Sequence, residues 1–322
     1  MAALGPGSPR TAPLDDLRVG GAPSGRPSAV PGLPERDGRQ ITGLGEVLHF
    51  ARRDRRLVLG TGVVAFFVVA AVVGPFLTTH GPWDYVGPPG APPSAEFWFG
   101  TTTFGQDVFA QFVHGLRTSF LVGFLGGGLA ALVGMLVGFV AGYRGGLVDE
   151  ILNMITNTVL VIPTLAVLII IVAYLQARGV LVQAVFIGLT SWPWAARAIR
   201  AQTLSLQTRE FVDLARMSGA STAQIIAREI APSMSSYLFM AFILLFGGAI
   251  LIAATLDFIG LGPTEGISLG LMMNNAVLWA ALQLGLWWWF VPPGVAITAI
   301  VGALYVMNVG LDEIFNPRLR EL

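Results

Sequence analysis

The sequence predicts an all-α integral membrane protein with about six transmembrane helices. Hydrophobic residues make up 54% of the 322 residues and charged residues only 12%, against about 25% charged in an ordinary soluble domain. Several apolar runs reach the roughly 20 residues that a helix needs to cross a bilayer. Segments alternating in polarity over roughly ten residues, the mark of a membrane β-barrel, do not occur. Lipid offers the backbone no hydrogen-bond partner, so each run must satisfy its own amides and is assigned as a helix.

Residues 1–40 hold seven prolines and seven glycines with almost no apolar period. Such a composition cannot bury enough surface to offset ordering entropy, so 1–43 is expected to be a disordered cytoplasmic tail. A secretory signal is not read here, because the first apolar run begins only at Leu57 and is long enough to span. Residues 44–56 form a juxtamembrane segment in which Leu44, Val47, Leu48 and Phe50 precede Arg52, Arg53, Arg55 and Arg56. It reads as a membrane-surface helix or as the cytoplasmic flank of the first span. The transmembrane body, 57–322, then carries six runs: Leu57–Leu77, Thr118–Tyr143, Ile151–Gln176, Leu181–Ala196, Ser235–Leu256 and Leu286–Gly310. Between the first two lies a long loop, 80–116, and between the fourth and fifth a polar loop, 200–234. In the second run Gly126, Ala130, Gly134, Gly138 and Gly142 recur every fourth residue, a stripe that lets two helix backbones approach closely. Trp287, Trp288 and Trp289 open the sixth run, either as an aromatic belt at the headgroup level or as a stacking platform for cargo.

Arginine placement sets the expected orientation. With the tail inside, the loops at 143–150 and 197–231 and the C-terminal end are also inside, carrying Arg144, Arg197, Arg200, Arg209, Arg216, Arg228, Arg318 and Arg320. Only Arg117 and Arg178 would lie outside, so both termini are expected in the cytoplasm.

Whole classes of chemistry are excluded by composition. All 19 basic residues are arginine, which removes P-loop, Schiff-base and kinase-type lysines. There is no cysteine, hence no disulfide, thiolate nucleophile or cysteine-ligated zinc. His49, His80 and His114 stand apart with no metal-ligand spacing. The formal net charge is zero, so no basic field points to nucleic acid. None of the six runs contains Asp, Glu, Arg, Lys or His; Asp257 sits just beyond the fifth, and Asn153, Thr156, Asn157 and Asn308 are the polar features at depth. A secondary carrier or channel, or an intramembrane enzyme, would keep ionisable or catalytic groups there. The driving force is therefore expected to come from other subunits.

The loop before the fifth run carries the most information. Glu210-Phe-Val-Asp213-Leu214-Ala215 predicts a helix that ends at Gly219, a residue suited to the left-handed conformation of a helix C-terminus. After Ala220, Ser221 and Gln224 have the spacing of a capping box that starts a second short helix. That helix is expected to end near Ala231, since Pro232 disfavours helical geometry in the residue before it. Ile225 and Ile226 would then be exposed to a partner, unless the hairpin simply packs back on the bundle.

These residues resemble the "EAA" loop of ABC-importer permeases, where a glycine follows the triplet after three residues and a proline lies further on. Here Asp213-Leu214-Ala215, Gly219 and Pro232 take those places, with Asp for Glu, Leu for the first Ala, and Ala231 for the usual Leu. Further along the chain, Trp98-Phe-Gly100-Thr101-Thr102-Thr-Phe-Gly105-Gln106-Asp107-Val108 and Gly115-Leu-Arg117-Thr-Ser119 resemble two consecutive motifs of dipeptide/oligopeptide/nickel permeases. So do Gly142-Tyr-Arg-Gly145-Gly146 with Asp149, Ile162-Pro163-Thr164, Trp192-Pro193 with Arg197, and Phe258-Ile-Gly260-Leu-Gly262. Pro293-Gly294, Asn308, Gly310 and Asn316-Pro317-Arg318-Leu319 resemble the family's closing pattern. Gln106 stands where that family usually has Arg, Thr102 where it has Asp, and a proline-rich run after Gly262 is altered. The resemblance covers about residue 50 to the C-terminus and is to the second permease subunit type.

What the resemblance implies is a type I ABC-importer permease fold and a non-catalytic membrane subunit forming half of a translocation pathway. It implies a homologous second permease, two ATP-binding subunits or an ATPase dimer that bind ATP and magnesium, and an extracytoplasmic substrate-binding protein. It also assigns Glu210, Asp213, Ala215, Gly219, Ala220, Ser221, Ile225, Ile226 and Pro232 to the loop that couples to the ATPase. Short peptides are the first cargo it implies, with oligosaccharides or nickel as alternatives.

Overall fold

The computed structural model describes residues 54–175 and 178–315. The expected tail, 1–43, most of the juxtamembrane segment and the closing Asn316–Leu319 pattern lie outside the described residues. Among the described residues there are no β-strands, only two isolated bridges, Tyr85 to Gln106 and Thr101 to Asp107.

The helix α1 (Arg55–Leu77) starts where the side chain of Asp54 accepts the Arg56 and Leu57 amides at 2.7 and 3.1 Å, which satisfies two of the donors a helix N-terminus leaves open. A looped segment leads to α2 (Val108–Arg144), the longest helix at 37 residues. It begins at Val108 rather than at Thr118, because Asp107 caps the Phe109 amide at 2.9 Å. Two shorter helices follow, α3 (Gly146–Val161) and α4 (Thr164–Leu175). Next come α5 (Val180–Leu206), α6 (Glu210–Met217), α7 (Thr222–Ile225), a π-helical turn (Ile226–Ile230) and α8 (Ala231–Ser233). The C-terminal part holds α9 (Ser235–Leu256), a second π-helical turn (Asp257–Leu261), α10 (Leu269–Leu278) and α11 (Trp287–Phe315).

Among the described residues, four helices are long and apolar enough to cross a membrane: Arg55–Leu77, Val108–Arg144, Ser235–Leu261 and Trp287–Asp312. The predicted third span is instead a broken pair, Gly146–Val161 and Thr164–Tyr174, bent by 80°. The break falls at Ile162-Pro163, where the extended Ile162 (φ −79, ψ 126) obeys the proline that follows it. The predicted fourth span is longer than Leu181–Ala196 and runs on to Leu206, so Arg197 and Arg200 sit on α5 rather than in a loop. Its polar second half keeps it outside the four. The expected count of about six is therefore approximate: among the described residues there are four clear spans, or five where the bent pair is taken as one, and α5 is not among them.

The centre of the bundle is α2, which packs against α5, α9 and α1, while α11 closes on α1 and α9. The small-residue stripe is the α2–α5 seam. A β-carbon at Gly134 would stand 2.9 Å from the Ala195 side chain, at Gly138 2.8 Å from the Ala196 carbonyl, and at Gly142 2.7 Å from Thr203. Any side chain there would push the two backbones apart.

One expectation about depth is corrected. The fifth helical run continues through the π-turn, so Asp257 lies inside a continuous Ser235–Leu261 segment and is 2% exposed. The spans therefore do enclose a carboxylate. Its oxygens accept from Gln183 Nε2 at 2.6 Å and from the Ser268 hydroxyl, which is how a membrane protein accommodates such a group. Likewise α2, by starting at Val108, includes His114 and Arg117.

Candidate functional site

The connection between α5 and α9 forms a helical hairpin at the arginine-rich end of the bundle. Its first arm, α6, ends in a paired backbone motif. The Gly219 amide donates to the Arg216 carbonyl at 3.0 Å, and the Ala220 amide reaches back to the Ala215 carbonyl at 3.1 Å. Gly219 holds φ at +79, a left-handed value that costs a residue with a β-carbon about 1 kcal/mol or more. This pair of bonds is the Schellman arrangement, and it explains why Ala215, Gly219 and Ala220 occur at these spacings. The second arm starts at once. Ser221 Oγ accepts the Gln224 amide at 3.4 Å while Gln224 Oε1 accepts the Ser221 amide at 2.9 Å, completing the predicted capping box.

The expected end of that second helix needs correction. Ala231 is helical (φ −62, ψ −42), and Pro232 lies within α8 rather than stopping the helix before it. The chain accommodates proline by widening into the π-turn, in which the Ala231 amide donates to the Ile226 carbonyl. A wider turn relieves the clash a proline ring makes with the preceding turn of an α-helix. The break comes at Met234 (φ −117, ψ 19), from which α9 departs.

A second correction concerns the exposed face. Ile225 is 2% exposed and Ile226 is half-buried. With Val212, Ile230 and Met234, Ile225 belongs to an apolar cluster that includes Trp192, Ala196 and Ile199 of α5, and Ile226 packs against it. These isoleucines anchor the hairpin to the bundle. The side chains left outward are Leu214, 59% exposed, and Met217, 77% exposed, beside exposed Glu210, Asp213, Gly219, Ser221 and Pro232. Sequence reading missed Leu214 and Met217. Their signal was their spacing, three apart on a short helix whose buried side is set by Val212.

Charged groups tie the hairpin to neighbouring elements. Arg216 donates to Asp213 Oδ1 at 3.0 Å and to the Tyr143 hydroxyl at 3.2 Å, with its guanidinium 5.3 Å above the Tyr143 ring. The Tyr143 contact holds Arg216 still more firmly in its charged form. Nearby, Arg200 makes a two-pronged contact with Asp149, one arm at 2.6 Å, and Arg197 donates to Asn157 Oδ1 at 2.6 Å. So α3 is clamped to α5 where the hairpin begins.

At the opposite end, residues 82–107 fold into a tight knot. Gly105 has φ +78, and a β-carbon there would stand 2.2 Å from the Gly87 carbonyl oxygen. Both departures from the family pattern in this segment are internal. Thr102 is fully buried, and its hydroxyl accepts the Phe104 and Gln106 amides, each at 3.2 Å. Gln106 donates to the Trp83 carbonyl at 3.3 Å and accepts from Gln111 at 2.9 Å. Gln111 accepts in turn from Trp289 Nε1 at 3.2 Å, and Trp288 donates to the Thr101 carbonyl at 3.1 Å. Two of the three consecutive tryptophans therefore fasten this knot rather than offering a free platform.

Comparison with known proteins agrees with this architecture. Residues 134–321 match the family described as the binding-protein-dependent transport system inner membrane component. The chain is 31% identical over 271 residues to the dipeptide transport system permease protein DppC of Bacillus subtilis, covering 84% of each chain. It is 32% identical over 272 residues to a putative peptide transport system permease protein of Brucella abortus, covering 83% of this chain and 90% of the relative. A putative peptide permease protein of Brucella suis is 33% identical over 238 residues, 70% of this chain and 74% of the relative. With the family match spanning more than half of its length, the chain belongs to the inner-membrane permease components of binding-protein-dependent transport systems.

Proposed function

We propose that this permease forms half of the translocation pathway of an ATP-driven peptide importer and that the Glu210–Pro232 hairpin couples it to an ATPase. A homologous permease completes the pathway, two ATPase subunits bind ATP and magnesium and hydrolyse the nucleotide, and an extracytoplasmic binding protein delivers cargo. Both termini and the hairpin lie on the cytoplasmic side, as arginine distribution favours. Cargo follows the printed names of the relatives, which are dipeptide and peptide permeases.

The observation that carries the coupling reading is the build of the hairpin. It is internally capped at both arms, anchored by Ile225 and Ile230, and turns Leu214 and Met217 outward. Exposed apolar side chains on a rigid, polar-flanked helix suit insertion into a groove of another protein. A unit so anchored can transmit a push to α5 and α9, between which it is inserted, as a two-state coupling element must.

The test uses the complete complex in proteoliposomes. Met217→Glu and Ala220→Glu are expected to abolish peptide uptake and cargo-stimulated ATP hydrolysis while the permease pair still assembles. Normal uptake by both variants would overturn the coupling assignment. Because the chain has no cysteine, Met217→Cys and Trp279→Cys can be labelled with no background from this chain; labelling of Met217→Cys from outside intact cells would overturn the orientation.

A further inference from the structure

We propose that the cleft between Arg178, the 260–264 loop and the knot is a cargo-contact subsite that receives the carboxylate end of a short peptide, with Arg178 as its anion-binding group. The inference rests on the peptide-import reading and adds a location and a chemistry to it. The cleft encloses about 570 Å³, within the roughly 300–1,000 Å³ typical of small-ligand sites.

Its floor is prearranged. Gln106 is 7% exposed and locked by the Trp83 carbonyl and Gln111, and Trp289, 1% exposed, closes the same chain of bonds. One wall is aromatic. Phe104 meets Trp279 edge-on at 4.7 Å, and Trp83 and Tyr85 stand beside them, all four exposed.

The facing wall places the charge. Arg178 is held by its main chain, whose carbonyl accepts the Thr264 amide at 2.8 Å, and by its side chain, which donates to the Gly260 carbonyl at 3.3 Å. That side-chain bond uses one of the five guanidinium donors. Among the described residues, no carboxylate pairs with Arg178. The turn carrying Gly260 is itself braced from within, because Asp257 at its start bonds Gln183 and Ser268.

A guanidinium without a counter-charge is costly against hydrocarbon, so this cleft faces water or a polar ligand. An available planar donor fork fits a carboxylate in two-pronged geometry. Aromatic walls at the same opening add apolar contact that a small inorganic anion would not use, and a cationic cargo would be repelled. A peptide C-terminus with an apolar last side chain satisfies both walls at once.

Two measurements on the full transporter, with its binding protein at saturation, test the subsite. In the first, Phe104 is replaced by the photocrosslinker p-benzoylphenylalanine and the complex is illuminated during turnover of radiolabelled Ala-Phe. The peptide is expected to label this chain, and Arg178→Gln is expected to cut labelling and Ala-Phe uptake about tenfold, the size of one charge-assisted contact. Arg178→Lys should recover part of both. In the second, the binding-protein concentration giving half-maximal ATPase stimulation should be the same in wild type and Arg178→Gln.

Labelling of the binding protein with no labelled peptide, or a shift in that half-maximal concentration, would make the cleft a docking surface and overturn the subsite. Uptake with no labelling at all would overturn it as well. A wild-type complex that imports no Ala-Phe would instead bring down the peptide reading on which the subsite rests.

Discussion

The knot at 82–107 and the hairpin at 210–234 are both polar interruptions in an apolar chain, at opposite ends of the bundle, and they are secured by different bonds. In the knot, buried side chains reach far along the sequence: Trp289 to Gln111, Trp288 to Thr101, Gln106 to Trp83. In the hairpin the polar bonds are mostly local, Gly219 to Arg216, Ala220 to Ala215, and Ser221 with Gln224. Among the described residues, the apolar anchors around Ile225 and the Arg216–Tyr143 contact bind it to the bundle. A region held by long-range bonds is fixed relative to the helices it joins. One held by its own caps can move as a unit without losing its shape, which is what a coupling element requires.

This contrast can be broken or sharpened by substitution. Gly105→Val should have the largest effect, since a left-handed backbone and a 2.2 Å overlap with the Gly87 carbonyl must both be relieved. A loss of about 3 kcal/mol or more is expected, read as poor yield and early thermal unfolding in detergent. Ile225→Ala should cost about 2–4 kcal/mol by cavity formation. Limited proteolysis should then cut within 206–234 while the knot stays protected; equal cleavage at both ends would break the contrast.

Asp257→Ala leaves the Gln183 amide and Ser268 hydroxyl without their acceptor in a buried site. About 1–3 kcal/mol is expected, and it should appear as loosening of the 257–264 turn by hydrogen exchange. Gly219→Ala meets open space, so only its positive φ resists. A cost near 1 kcal/mol follows, with reduced coupling but unchanged assembly. Asp213→Asn should be the smallest, within about 0.5 kcal/mol in a melting experiment, because its pair with Arg216 is solvent-exposed on both sides.

Much of the hairpin and of the α2 seam was legible in the sequence, for reasons that differ by residue. Gly219, Ser221 and Gln224 announce helix ends because caps are local chemistry, readable over three or four positions. The α2 stripe was legible because small residues at every fourth position have few purposes beyond close helix packing. The burial of Ile225 and the exposure of Leu214 and Met217 were not legible. Which side of a short helix faces the bundle depends on the path of α5 and α9, and no spacing within the hairpin encodes that path. The π-turn around Pro232 escaped for a related reason: the proline rule forbids a normal turn but does not say whether the chain stops or widens.

By itself the amino-acid sequence determined the membrane class, the approximate number of spans, the absence of lysine and cysteine chemistry, and the place of the hairpin. Those follow from composition, run length and local capping, none of which needs a distant neighbour. The bend at Ile162-Pro163, the enclosure of Asp257 by Gln183 and Ser268, and the knot tied by Trp288 and Trp289 were decided only by tertiary structure. So was the cleft that sets Arg178 opposite Phe104 and Trp279. Each joins residues far apart in the chain, and their meeting depends on how the helices pack, which local preference does not specify.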